Sequence, residues 1–316
     1  MVPKHNILRL MLRRFTYLPL VIAAAVIAGC TDKRNAYEAE ASLSFNPVIN
    51  TLTKADSTSA YPTSESFGIL GYRLPSGKTW AKNSSDATLV YDHSEVSYAG
   101  KYWQPADPDQ VGAWQRLTVL SAYAPYDADV TCTKENGVEI SGFNRTTDAE
   151  DIMFAGPVYD YNLGANNGIV QLPFTKVLTE IDFFAFSDLS SGQEMYLKSL
   201  TLEGFSDNGD FVQFPTPRWT VGSDNASLSV FEGSTKVLDT PEFTQQIGGA
   251  TMVIPQTFNS RLTAVCDFTN SAGVLYKTET YVLEKTMTWS IGAKCVYVLK
   301  FDEQNEMTYS YISENL

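Results

Sequence analysis

Residues able to do acid–base or nucleophilic chemistry are sparse in this chain of 316 residues. It has two histidines, His5 and His93, and only His93 lies beyond the apolar N-terminal stretch. A Ser-His-Asp or Cys-His site would have to use it. It sits in Asp92-His93-Ser94-Glu95, however, which reads as a polar surface turn. There is no Gly-x-Ser-x-Gly elbow, and zinc would need a second histidine or closely paired cysteines, whereas Cys132, Cys266 and Cys295 form no CxxC. Carboxylates are plentiful, but a glycosidase pair is defined by its separation in space and no motif marks one. Asp207-Asn208-Gly209-Asp210 hints at calcium, yet it lacks the alternating ligands of an EF-hand loop and reads as a tight type I′ hairpin turn into Phe211-Val212-Gln213-Phe214. The expectation is a protein that is not an enzyme and holds no metal or other cofactor.

One cysteine has chemistry of a different kind. Lys4, Arg9, Arg13 and Arg14 precede an apolar run from Phe15 to Ala28, and Ala28-Gly29 leads directly into Cys30. Basic tract, apolar run and small residues are the layout of a secretory signal, and the run is too short for a spanning helix of about 20 residues. Small residues running straight into a cysteine resemble the bacterial lipobox, in which the thiol takes a diacylglycerol and the chain is cut just before it. Residues 1–29 then form the signal peptide and 30–40 a lipidated tether, so the membrane is reached only through the lipid.

From Cys30 onward the chain has 287 residues, with 19 Lys/Arg against 36 Asp/Glu. That acidity repels nucleic acid and anionic lipid surfaces, and the length favours two domains. Cys266 and Cys295 lie in strand-like runs, where they are either small buried hydrophobes or, if the strands are neighbours, a disulfide. Ala41 to Phe45 alternates like an isolated strand, followed by loop chemistry from Asn46 to Glu65 around Lys54. Short β-branched and aromatic runs then recur between Gly, Pro, Asn and Ser turns, from Phe67–Tyr72 through Asp151–Gly156. That spacing predicts an all-β antiparallel sandwich over 41–160, since no helical period of useful length is present for parallel crossovers. Asp160 to Gly168 reads as the domain boundary, and a second sandwich is expected over 169–316, with Phe183, Phe186, Leu200, Leu202, Val298 and Phe301 as core candidates. The last strand, from Met307 to Ile312, alternates apolar and polar residues. Dense aromatics around Trp103 and Trp114 fit either sandwich packing or a sugar-binding platform.

The order of several short motifs resembles the fimbrillin family of Bacteroidales, the lipoprotein subunits of type V pili. The motifs are the lipobox, Thr53-Lys54-Ala55, Ser66-Phe67-Gly68-Ile69, Ala122-Tyr123-Ala124-Pro125-Tyr126, Asp151-Ile152-Met153-Phe154-Ala155, Val170-Gln171-Leu172-Pro173-Phe174, Val253-Ile254-Pro255-Gln256 and Trp289-Ser290-Ile291-Gly292. The resemblance implies two tandem transthyretin-like Greek-key β-sandwich domains and export to the outer membrane and cell surface. It also implies assembly with other pilus subunits by strand exchange after a protease removes the N-terminal segment. Lys54 stands where family members carry an arginine, so Lys54 and Arg34 are the processing candidates, and Met307, Tyr309 and Tyr311 mark the candidate donor strand. A host or bacterial glycan or protein is a further expected partner. The alternative reading is a monomeric surface glycan-binding lipoprotein.

Overall fold

A computed structural model describes residues 44–50, 58–75, 77–107, 109, 119–148, 151–159, 169–190, 192–239, 245–302, 304 and 306–315. In chain order the first strands are β1 (Ser44–Asn50), β2 (Thr58–Ala60), β3 (Phe67–Arg73), β4 (Thr88–Tyr98), β5 (Trp103–Pro105), β6 (Val119–Ala124) and β7 (Thr131–Thr133). There follow β8 (Gly137–Asn144), β9 (Met153–Tyr159), β10 (Ile169–Lys176), β11 (Thr179–Asp188), β12 (Gln193–Phe205), β13 (Asn208–Val212) and β14 (Arg218–Val221). The rest are β15 (Ala226–Val237), β16 (Gln245–Val253), β17 (Thr257–Asn270), β18 (Leu275–Thr288), β19 (Ala293–Asp302) and β20 (Met307–Asn315). A single turn of helix, α1 (Trp80–Asn83), interrupts the connection between β3 and β4.

The all-β expectation holds, and the strands fall into four sheets. The first has the order β10-β9-β6-β3-β4-β5-β1-β2, and because β1 also pairs with β10 the sheet closes on itself. Inside it Phe67 is fully buried, with the rings of Phe45, Tyr61, Trp103 and Phe174 all 5.4–5.9 Å away. A large side chain buried this fully contributes about 1.5–3 kcal/mol by leaving water. Two further sheets, β16-β11-β19-β20 and β15-β12-β17-β18, face each other across a core that includes Phe183, Leu200, Leu202, Tyr297 and Phe301.

The fourth sheet, β14-β13-β8-β7, takes strands from both halves of the chain, because β8 pairs with β13. Around it Tyr123, Phe143, Ile152, Phe154, Val177, Phe211 and Ile254 form one apolar cluster. Buried polar groups at this junction are matched. The Gln213 side chain accepts from the Val138 N–H at 3.0 Å and donates to the Gly156 carbonyl at 3.0 Å. Arg145, after β8, forks onto Asp207, its Nη2 donating to Oδ2 at 2.9 Å, and its guanidinium lies over the Phe205 ring.

Several expectations are corrected by this topology. The sandwiches are not wholly antiparallel: β1 runs parallel to β10 and β11 parallel to β19. The crossovers between these partners are whole runs of strands rather than helices, which the absence of helical period could not exclude. Strand β10, within the 169–316 reading of the second unit, bonds to β1 and β9 of the first sheet. Phe186 and Val298 are not in the core cluster but half-buried on the outer face. Phe183 and Phe186, like Val298 and Phe301, are an odd number of residues apart, so a strand must send them to opposite faces. Asp207 to Asp210 is no hairpin turn, since β12 pairs with β15 and β17 while Asn208 opens β13. The carboxylate of Asp207 is taken by Arg145, and among the described residues no group of three His, Cys, Asp or Glu is placed to hold a metal.

Candidate assembly site

Strand β1 extends beyond its predicted end, through Asn46-Pro47 to Asn50, into what the sequence read as loop. Residues 41–43, Cys30, Arg34 and Lys54 lie outside the described residues. A mid-strand proline removes a ladder donor, and the pairing of β1 shows how Pro47 is accommodated. On one side β1 meets β5 only at Phe45 opposite Trp103, and then β2 from Val48 to Asn50. Pro47 falls between those two partners, its carbonyl accepting from the Tyr61 N–H at 3.4 Å. On the other side β1 runs parallel to β10 in unbroken register, from Ser44 opposite Ile169 to Ile49 opposite Phe174; the Pro47 carbonyl points to the β2 side, so the N–H that proline lacks is missing there and not from this ladder. Side-chain amides bridge the same seam: Asn46 Nδ2 donates to Gln171 Oε1 at 2.6 Å, and Asn50 Nδ2 to Thr175 at 3.4 Å. Among the large side chains of β1, Phe45 is fully inside the core, while Ile49 packs at its margin. The strand that closes the ring therefore has one fully buried aromatic anchor, a continuous parallel seam to β10 and a broken one to β5 and β2.

At the other end of the chain β20 is an edge strand, antiparallel to β19 over nine residue pairs. Met307 is buried and Tyr309 half-buried, whereas Tyr311 is 44% exposed even though it faces the same side. Tyr311 stacks on Tyr297 with ring centres 5.2 Å apart, and Tyr309 meets Tyr297 edge-on at 5.5 Å. Burial pushes the Tyr297 hydroxyl up from its ordinary value, with neighbouring Cys295 adding to the shift, while the bond it accepts from Trp289 Nε1 at 2.9 Å opposes it. The three donor-strand candidates thus share one face, apolar toward the core, with Thr308, Ser310 and Ile312 on the other.

The remaining singled-out residues do not join this site. His93 is not in a surface turn; it lies within β4, which is one strand where the sequence suggested two. The pairing of β3 with β4 slips there, between Ile69 opposite Ser94 and Gly71 opposite Tyr91. His93 has φ 46°, a backbone conformation that Asn, Asp and His tolerate best among side-chain-bearing residues, and its Nδ1 is 3.3 Å from the Tyr123 hydroxyl. Trp103 is only 7% exposed and belongs to the first core, so it presents no ring to a sugar, and Trp114 lies outside the described residues. Cys266 and Cys295 are both buried and free, as is the half-buried Cys132.

Burial pushes the thiols of Cys132 and Cys266 up to about 12. At pH 8 only on the order of 10⁻⁴ of each is thiolate, the form that reacts. In the folded chain both should therefore resist a thiol-labelling reagent for hours that modifies them within minutes in denaturant; rapid labelling of either in the native state, read by mass spectrometry of peptides, would contradict their placement.

No protein-family model matches the sequence, and no curated protein matches it. Solved structures do match. A fimbrial protein from Bacteroides vulgatus superposes with a TM-score of 0.60 at 17% identity, over 87% of this chain and 99% of that one. The chain has the fold of a fimbrial protein. A candidate cell adhesion protein from Bacteroides ovatus shares this fimbrial fold at a TM-score of 0.51 and 17% identity, over 87% of this chain and 97% of its own. Another, from Parabacteroides distasonis, does so at 0.50 and 9%, over 87% and 98%. At these identities it is the fold that is shared, over nearly the full length of each neighbour. Among the described residues no helix is long and apolar enough to cross a membrane.

Proposed function

We propose that this chain is a non-enzymatic, fimbrillin-like subunit of a cell-surface pilus, exported as a lipoprotein through acylation at Cys30 and assembled by strand exchange. The observation that carries the reading is the seam of β1. A strand that closes a ring, whose pairing on the β5 and β2 side is broken and which is joined to β2 by the segment containing Lys54, is one that a cut can release. Its departure leaves an open edge and an apolar groove lined by Phe67, Trp103 and Phe174, and accepting a strand from another subunit relieves that exposure. The alternation of β20 suits it as donor, with Tyr309 and Tyr311 taking positions like those of Phe45 and Pro47. The finer fold reading, two transthyretin-like Greek-key sandwiches in tandem, belongs to this proposal, with β10 counted in the first. Its partners are other pilus subunits at the outer membrane surface, and an adhesive role toward a host or bacterial surface is compatible with it.

The test is assembly before and after cleavage. Chain cut after Lys54 should form filaments visible by electron microscopy, uncut chain should not, and Lys54→Ala with Arg34→Ala should block conversion by the same protease. Tyr309→Ser with Tyr311→Ser should abolish filaments while circular dichroism stays that of a folded β protein. Filaments from uncut chain, or undiminished assembly by the double variant, would remove the roles given to these strands.

A further inference from the structure

The last strand and the junction meet through one buried tryptophan. Tyr297 of β19 lies between its register partners, stacked on Phe183 of β11 and on Tyr311 of β20 with ring centres 5.2 Å apart in both pairs. Its hydroxyl accepts from Trp289 Nε1 at 2.9 Å. The Tyr311 hydroxyl also donates to the carbonyl of Thr288, the residue before Trp289, at 3.4 Å. Trp289 is thus held from the β20 side both by the ring that Tyr311 stacks on and through the backbone next to it.

From Trp289 two routes lead to the Arg145–Asp207 pair. Along the first, the indole packs on Phe258 at 4.5 Å and on Phe205 at 5.4 Å, and the Arg145 guanidinium lies over the Phe205 ring at 5.8 Å. Along the second, the Trp289 N–H donates to the Gln256 carbonyl at 2.8 Å. The Gln256 side chain in turn clamps Ser206, accepting from its N–H and donating to its carbonyl, both at 2.8 Å. Ser206 stands between Phe205 and Asp207, so both routes end on the same short segment. There the Arg145 N–H donates to the Asp207 carbonyl at 2.8 Å, beside the ion pair of their side chains. Phe205, Trp289 and Tyr297 are all fully buried.

We propose that these contacts couple the seating of β20 to the closure of the junction. With β20 on β19, the segment from Phe205 to Asp207 is held where Arg145 clasps it; when β20 leaves, the clasp loosens. A close-packed interior passes a displacement on because it has no slack to absorb it. Coupling is reciprocal, so an opened junction weakens the hold on β20 by the same factor. The inference rests on the strand-exchange reading for the occasion on which β20 leaves: a free subunit then has a stiff waist, and one that has donated β20 a pliant one. The coupling itself is a property of the single chain.

The test is hydrogen exchange on uncut full-length chain with Cys30→Ser, read residue by residue by NMR. Tyr311→Ser should speed exchange of the Arg145 amide roughly tenfold, a usual size for coupled sites, while amides of β3 that face β6 stay as they were. In the other direction, Arg145→Met with Asp207→Asn should speed the β20 amides that face β19 by a similar factor. The amides from Thr235 to Val237 of β15, at another edge of the same sandwich that neither route reaches, should not change. Trp289→Phe should erase the effect of Tyr311→Ser on Arg145, and Tyr297→Phe, a gentler change that deletes only the hydroxyl Trp289 meets, should reduce it. An Arg145 amide indifferent to Tyr311→Ser overturns the proposal. So do β15 and β20 amides quickened alike by the junction variant, or a Tyr311 effect undiminished in both Trp289→Phe and Tyr297→Phe. Filaments lost in Tyr309→Ser with Tyr311→Ser while Arg145 stays protected remove this inference and leave the pilus reading standing. Coupling found in a chain that forms no filaments after cleavage upholds the linkage and removes only the use given to it.

Discussion

Phe45→Ala in the uncut chain should destabilise the first sheet by about 3–5 kcal/mol, the usual loss for emptying a buried phenylalanine site. More tellingly, it should let β1 exchange without any cleavage. Phe45 is fully within the core and meets Phe67 edge-on at 5.9 Å. The rest of the hold on β1 is the six-pair parallel seam to β10, a pairing to β5 and β2 that breaks at Pro47, and an Asn46 bond at an exposed position. A neutral hydrogen bond contributes only about 0.5–1.5 kcal/mol net, so the aromatic anchor outweighs any single bond along the strand. Hydrogen exchange is the measurement. Amides of β10 that face β1 should lose protection in the variant, those of β12 and β17 should keep theirs, and a peptide spanning residues 307–316 should bind the variant and not the parent. Uniform loss of protection across both halves would mean that β1 is an ordinary structural strand.

The second large effect is expected at the junction. Arg145→Met should cost about 3–5 kcal/mol, because it leaves the Asp207 carboxylate, itself mostly buried, without its counter-charge. The parent should melt in a single calorimetric transition, since β8 and β13 share a sheet and a continuous apolar cluster runs beneath them. The variant should separate into two transitions. Adding Asp207→Asn should recover part of the loss, as a pair removed whole leaves no stranded charge. A parent that already melts in two steps, or a double variant worse than the single, would deny the pair its bridging role.

Much of this was legible in the chain, and the limits have a physical cause. Short apolar and aromatic runs placed β3 and β11, period-two alternation placed β12 and β20, and Phe183, Leu202 and Phe301 were picked out as core, because alternation reports which face a residue takes. Alternation says nothing of which strand lies alongside. The β8–β13 pairing joins residues some seventy positions apart, and β1–β10 some 125, with no local turn to announce either. The composition around Pro47 reads as loop by every local rule, and only the gap between β5 and β2 makes room for it in a strand. His93 misled for a similar reason, as a bulge in a long strand and a polar turn draw on the same residues. Arg145 and Gln213 carried no signal at all, since each is singled out only by what it meets across the junction.

The shared sheet also matters for how force travels. The chain passes from the first sheet to the second sandwich between Lys176 and Thr179, and one covalent crossing would act as a swivel under tension. The excursion of β13 and β14 back onto β8 adds a second, hydrogen-bonded path beside it, with Arg145 and Asp207 as its rivet. Drag on a body held at one end is then divided between two load lines, and the hinge is braced against both stretch and twist.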